Sequence, residues 1–478
     1  MRVAFNHYRT QRTSNGALYF YSETSKLLTQ AAPAGVHPEP HDVFELLRQD
    51  ERDLARFVRR LGPDDVVVCN AGPYGHFYHY LRERYDGRFR IIRDIRTSSW
   101  GGYHFQEMLA GPLNRPGDLV LFPSEFCRAY FIHHHAASLH AGNTAVSYPL
   151  ATSFPATRPA RPRPARGLRI GYLGRVSADK NFAQVLDFLA AVRRDDRAAS
   201  LQVAGHVEGR SAARAMQVVR RELEARGIPA DAVAYHGHLP YQKIWAFFEQ
   251  IDVFFFPAVS SVESLGRVLL EAQHAGVSTI AGGYAAAPEI LPEANLLDID
   301  FRCDTAFDMG QPFSFGSVRL ETVAETIRAC TPGVPRSRSA CYSEQVYLDY
   351  VTGEPAPAPA APVAPRVQAF IRALEIRHDL SVTSGADSLA LLGPLLQAFN
   401  AYHDNRLSSR LLRLVRATGR SDAYPNQRSL HVHRLLAPGQ RLLPSHAREH
   451  CAAAGYRPVA VLNGEHLASA DRHARQSA

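Results

Sequence analysis

The stretch from Asp252 to Leu291, DVFFFPAVSSVESLGRVLLEAQHAGVSTIAGGYAAAPEIL, constrains this chain more than any other. Ile251 to Phe256 is a nearly unbroken apolar run ended by Pro257, the pattern of a strand buried on both faces of a parallel sheet. Leu265 to His274 then repeats apolar residues at helical spacing, and Val277 to Ala281 is a second short apolar run after Gly276. Strand, loop, helix and strand make a βαβ unit whose loop lies at the carboxyl end of a strand, where open α/β sheets take their ligands. Glu263 sits in that loop and Glu271 two helical turns on. Gly266, between them, lets an anion such as a phosphate approach the unpaired amides of the helix start. Carboxylates do not hold phosphate, but they accept well from sugar hydroxyls. The combination points to a ligand with hydroxyls on both sides of a diphosphate, which is the layout of a sugar nucleotide.

Glu263 and Glu271, with seven residues between them, match an E-x7-E signature, and here the chain resembles the retaining glycosyltransferases of family GT4, which have the two-domain GT-B fold. FFFPAVSSVESLG is similar to that family's strand-Pro-Ser-x-x-Glu-Gly-x-Gly segment, and Pro288-Glu289 to its later Pro-Glu. Ser264 stands where the family usually has Gly, and Tyr284-Ala285-Ala286 where it usually has Val-Gly-Gly. Earlier in the chain, the strand from Leu168 to Leu173 ends in Gly174-Arg175, and Lys180 follows five residues on, like the GT4 pair that holds the donor diphosphate. Lysine is scarce, Lys26, Lys180 and Lys243 being the three present, so one at a motif position is informative.

The resemblance implies roles for these residues. Glu263 would hold sugar hydroxyls and Glu271 the ribose, while Arg175 and Lys180 would neutralise the leaving diphosphate. The backbone at Ser264, Leu265 and Gly266 would carry a phosphate. Gly16, Gly174 and Gly237 would complete the donor side at strand-to-loop turns. Arg93-Asp94 occupies the end of a middle strand where the family often carries a His, and would face the acceptor. No cofactor and no divalent ion is required: Asp298-Ile299-Asp300 is formally a D-x-D, but it lies late in the second domain rather than after an early strand.

Alternating apolar runs and helical patterns give an α/β fold class with parallel sheets, and the resemblance implies GT-B, two facing Rossmann-like domains, plus a mainly helical C-terminal extension. The first domain spans 1–154, with strands at Arg2–Asn6, Val66–Asn70, Phe89–Ile92 and Leu119–Phe122. A Pro/Arg-rich linker covers 155–166 and the donor domain 167–352, with a Pro/Ala-rich spacer at 353–365 and a basic extension at 366–478. The extension holds 15 Arg, no Lys and 8 acidic residues, and so accounts for +7 of the chain's +8. Arg406, Arg410, Arg413 and Arg420 recur at helical spacing, a pattern able to touch an anionic membrane or acceptor, although most such stripes are the wet face of a packed helix. Nucleic acid is not expected as a partner. His133-His134-His135 reads as an exposed helix end, since three consecutive residues cannot face one metal from one side of a helix.

The absence of a long apolar run and the immediate entry into a strand at Arg2 suggest a cytoplasmic protein. The expected partners are a nucleotide sugar and a hydroxyl-bearing acceptor in surface glycan, glycolipid or secondary-metabolite synthesis. A sugar-nucleotide epimerase or a phosphorylase on the same fold, or a scaffold acting through its basic tail, are the competing readings.

Overall fold

The structure, a computed structural model, describes residues 1–7, 16–70, 72–99, 101–148, 164, 166–207, 212–301, 307–308, 314–331, 344–353, 362–377, 382–403, 441–443 and 457–458. Most of the expected linker, residues 354–361 of the spacer, and the basic repeat at Arg406–Arg420 lie outside the described residues.

Two six-stranded parallel sheets follow one another along the chain, as the expected architecture requires. The first is built from β1 (Arg2–Asn6), β2 (His37–His41), β3 (Val66–Cys69), β4 (Arg90–Asp94), β5 (Leu119–Phe122) and β6 (Thr144–Val146), in the order β2-β1-β3-β4-β5-β6. The second uses β7 (Arg169–Leu173), β8 (Ser200–Ala204), β9 (Val233–Tyr235), β10 (Val253–Phe256), β11 (Ser278–Gly282) and β12 (Leu296–Leu297), in the order β12-β11-β10-β7-β8-β9. Side chains alternate along a strand, so a sheet covered on both faces needs apolar residues at consecutive positions. In β3, Val66 and Val68 join Phe5 and Tyr347 in one core, while Val67 and Cys69 join Phe57 and Phe77 in the other.

In the second sheet the chain runs β7, β8, β9 in one direction and then returns to place β10 on the other side of β7. This reversal opens a crevice beyond the carboxyl ends of β7 and β10. The loops that leave those two strands are the ones carrying Arg175 and Lys180, and Glu263.

Late segments pack back onto earlier parts. Tyr347, Leu348 and Val351 of the helix Glu344–Thr352 lie in the core under the first sheet, and Arg90 donates to the carbonyls of Val351 at 2.7 Å and Gly353 at 2.6 Å, closing that helix's carboxyl end. The helix Pro365–Ala373 crosses the boundary drawn at residue 365. Its Phe370 ring lies 6.4 Å from Phe126 of the first lobe and 5.2 Å from Tyr284 and 4.6 Å from Phe301 of the second. Leu392 and Leu395 of the helix Gly385–His403 join the core containing Phe77 and Tyr78. The start of the extension is therefore part of the packed body. Among the described residues no helix is long and apolar enough to cross a membrane.

Candidate active site

Three glycines bring the ends of β7, β8 and β9 together. The Gly174 amide donates to the Ala204 carbonyl at 3.0 Å, and the Gly205 amide to the Gly237 carbonyl at 2.8 Å. A Cβ on Gly205 would stand 1.7 Å from the Gly174 carbonyl oxygen, so only glycine fits there. Gly205 is a member of this cluster that sequence reasoning did not single out. Gly16 opens the helix Gly16–Gln30, directly after residues outside the described set.

The loop after β7 ends in a short 3-10 turn, Ala178–Lys180. From it the Lys180 ammonium meets the Glu263 carboxylate at 2.7 Å, across from the loop that follows β10. Both are mostly buried, at 18% and 12% side-chain exposure, which strengthens the pairing relative to a surface bridge. Arg175 is on the same turn but is held by Asp179, at 2.7 Å. Below them, the Tyr172 hydroxyl donates to the Arg175 carbonyl at 2.5 Å. Burial raises the Tyr172 pKa, with Asp179 and Glu263 adding to the rise and Arg175 opposing it, so this hydroxyl stays protonated among those charges. Asp179 was missed, although its position four residues beyond Arg175 was visible.

Gly266 takes φ +75 and opens the helix Arg267–His274; a Cβ there would stand 3.0 Å from Leu269 and 3.3 Å from Phe256, so conformation and space both call for glycine. Leu265 is buried beside it. Glu271, on that helix, is paired with Arg267 at 2.9 Å. Burial raises the Glu271 pKa, and Arg267 opposes the rise.

The loop that carries Glu263 is fastened to the first lobe. Ser98 donates through its hydroxyl to the carbonyls of Ser261 at 2.9 Å and Glu263 at 3.0 Å, and the Ser99 amide donates to Ser261 at 2.8 Å. The Ser264 hydroxyl donates to the Arg96 carbonyl at 2.9 Å, and Ser124 donates to the Ser264 carbonyl at 2.5 Å. The serine found in place of the family's usual glycine is thus a contact between lobes.

Arg93 and Asp94, expected on the acceptor side, are both 1% exposed. Arg93 forks onto Glu107 at 3.0 and 2.7 Å, while its remaining nitrogen reaches His79 at 2.6 Å and Asn114 at 2.8 Å. A buried guanidinium needs such partners, and here they lie inside the first lobe. Asp94 pairs with Arg96 and lies 3.4 Å from Tyr347; burial raises its pKa and Arg96 opposes the rise. The histidines also depart from expectation. His133 is exposed, but His135 is buried and its Nε2 lies 2.9 Å from Nδ1 of His104. Asp300 of the formal D-x-D bonds Arg319 at 2.7 Å.

Glu289 makes a further link between lobes. Its carboxylate accepts from the amides of Glu125 at 3.1 Å and Phe126 at 3.3 Å, at the start of the helix Glu125–His134, and from the Tyr148 hydroxyl at 2.9 Å. Burial pushes its pKa up from 4.5 to about 7, against those three donors. A raised folded value means that the folded state binds the proton more tightly, so this contribution to stability is complete below about 4.5 and is lost as pH rises through about 7. Glu289 should therefore contribute a downward slope to the melting temperature from pH 5 to pH 8, equivalent to about 2.5 kcal/mol. Glu289→Gln should flatten that slope; parallel pH profiles for the two proteins would refute the assignment.

No curated protein matches the chain in sequence. In shape it is similar to Anabaena Alr3699/HepE in complex with UDP and glucose, with a TM-score of 0.47 and 15% identity over 74% of this chain and 96% of that one. It is also similar to the lipopolysaccharide outer core galactosyltransferase WaaB in its apo form, with a TM-score of 0.48 and 14% identity over 73% of this chain and 94% of that one. Residues 153–296, the segment that holds Arg175, Lys180, Glu263 and Glu271, match the family model described as Glycosyl transferases group 1.

Proposed function

We propose that the chain is a glycosyltransferase that moves a sugar from a nucleoside diphosphate sugar to an acceptor hydroxyl, with retention of anomeric configuration and without a divalent ion. The observation that carries the reading is the Lys180–Glu263 pair at 2.7 Å in the crevice between β7 and β10, inside the segment that matches the glycosyltransferase model. A cation and an anion side by side suit a ligand that carries phosphate at one point and hydroxyls at the next.

In this reading Glu263 accepts from hydroxyls of the transferred sugar, and Lys180, with Arg175 on the same turn, faces the diphosphate. The bond from the anomeric carbon to the phosphate oxygen breaks as the acceptor oxygen bonds to that carbon on the same face, and the acceptor's proton passes to the departing phosphate. Fixed positive charge at the leaving oxygens is the main contribution asked of the protein. The first lobe, bonded to the Glu263 loop through Ser98 and Ser99, helps to keep water out of the crevice.

A panel of UDP-, GDP-, dTDP- and ADP-sugars, with chelator present, tests this. One of them should raise the melting temperature, because a ligand that binds only the folded state stabilises it. The stabilising donor should then be consumed only when an acceptor is added. Conversion of the donor alone to an epimer would replace the reading with an epimerase, and dependence on inorganic phosphate would replace it with a phosphorylase. If none of the four stabilises the protein, the donor assignment fails.

A further inference from the structure

One charged cluster touches the candidate site and joins both lobes, and its Arg267, Glu23 and Tyr241 have no place in the roles assigned so far. Arg267, the residue after Gly266, sends Nη1 and Nη2 to the Glu23 carboxylate at 2.7 and 3.2 Å, and Nε to Glu271 at 2.9 Å. Its Nη2 also donates to the Tyr241 hydroxyl at 3.0 Å, and the guanidinium lies 5.3 Å from the centre of that ring. Side-chain exposure is 12% for Arg267, 6% for Glu23 and 7% for Glu271. The four residues come from three places. Glu23 is on the helix Gly16–Gln30 of the first lobe, Tyr241 opens the turn Tyr241–Lys243 that follows the Gly237 loop, and Arg267 and Glu271 share one helix.

We propose that Arg267 is a positioning residue for the donor's ribose, which orients Glu271 toward the vicinal hydroxyls, and that Glu23 anchors Arg267 from the opposite lobe. The inference rests on the donor-binding reading above. Two carboxylates share one guanidinium, and the fork of Arg267 can serve both because its five donors are fixed in a plane. Glu271 accepts from Arg267 and also hydrogen-bonds Tyr241, and a carboxylate with about four lone-pair sites keeps room for two hydroxyls. The charge on Arg267 matters as much as its geometry. Burial favours a protonated Glu271, Arg267 opposes this, and a carboxylate that stays ionised remains an acceptor on both oxygens. Burial also works against the charge on Arg267 itself, but Glu23 and Glu271 outweigh it and hold its pKa well above the ordinary value. Because Glu23 belongs to the other lobe, orientation of Glu271 and approach of the lobes become one event.

The test compares affinities, by calorimetry, for UDP, GDP and ADP and for their 2′,3′-dideoxy counterparts. Wild type should prefer the ribose form by on the order of tenfold to a hundredfold, the size of one or two hydrogen bonds to a charged group. Arg267→Met should bind the ribose and dideoxy forms about equally, Arg267→Lys should recover part of the preference, and Glu23→Gln should fall between wild type and Arg267→Met. A residue needed only for folding would not change this ratio. A wild-type ratio retained in folded Arg267→Met or Arg267→Lys overturns the proposal. If Arg267→Met does not fold, an unchanged ratio in Glu23→Gln overturns the cross-lobe part, and one in Arg267→Lys overturns the rest. Wild type that binds none of the three nucleotides overturns the donor reading itself, a result distinct from binding that the variants leave unaltered.

Discussion

Changing Lys180 to alanine is expected to lower glycosyl transfer at saturating donor by about 10²- to 10³-fold, the loss seen when one fixed group that stabilises developing charge is removed. Lys180 meets Glu263 at 2.7 Å, at the point where the loops after β7 and β10 face each other. Glu263→Gln keeps the side chain's shape but removes its charge and replaces one acceptor with a donor, so a loss of similar size is expected. The two losses should not add, since residues acting as a unit lose most of their effect with the first removal. Turnover is the measurement, with the melting temperature as the control for folding. Either single variant working within about threefold of wild type would end the assignment, because a group contributing that little supplies less than about 1 kcal/mol to the barrier.

The second large effect is on stability. Arg93→Met should destabilise the first lobe by about 3–5 kcal/mol, because it leaves the Glu107 carboxyl group buried without its cation. The pair is 1% and 0% exposed, and the Arg93 fork supplies both of its close hydrogen bonds to Glu107. His79 beside it has a pKa held well below the ordinary value, first by burial and then by Arg93, so it is neutral and accepts from the guanidinium rather than competing with it. The double change Arg93→Met with Glu107→Leu should recover most of the loss, since an apolar pair removes the unpaired charge along with its partner. Denaturant midpoints of the four proteins complete the cycle. A double variant no better than Arg93→Met would show that the cost came from packing.

Arg93 also illustrates what one dimension of sequence hides. It stands at the end of a strand, RIIRD, where a ligand-facing residue belongs. Which face it occupies, and that Glu107 and Asn114 wait there, depend on how the following helix packs. The central strands were legible because burial on both faces requires runs such as Val66 to Cys69 and Val253 to Phe256. The edge strand His37–His41 was not, since HPEPH has two prolines and no aliphatic residue; an edge position tolerates them because one side of the strand makes no ladder bonds. In the candidate site, Glu263 and Gly266 stood out from the strand-loop-helix pattern and local backbone chemistry, and Lys180 from its likeness to the GT4 pair and the scarcity of lysine. Arg267 was visible only as a partner four residues before Glu271. Glu23 was invisible, as it reaches Arg267 from the opposite lobe, 244 positions earlier. Arg175 is on the expected turn, but Asp179 holds it.

The return of late helices to the first sheet bears on how the molecule is made. A ribosome releases β1 to β6 early, yet Tyr347 and Val351, which cover one face of that sheet, and Leu392 and Leu395, which fill the core on the other, emerge roughly 200 or more residues later. During that interval the nascent first lobe lacks part of the apolar cover on each face of its sheet, and the second lobe has to thread out and begin folding beside it. Slowing translation between the two lobes would lengthen that exposure, so the soluble yield of this chain should depend on holdase chaperones more than its finished surface suggests.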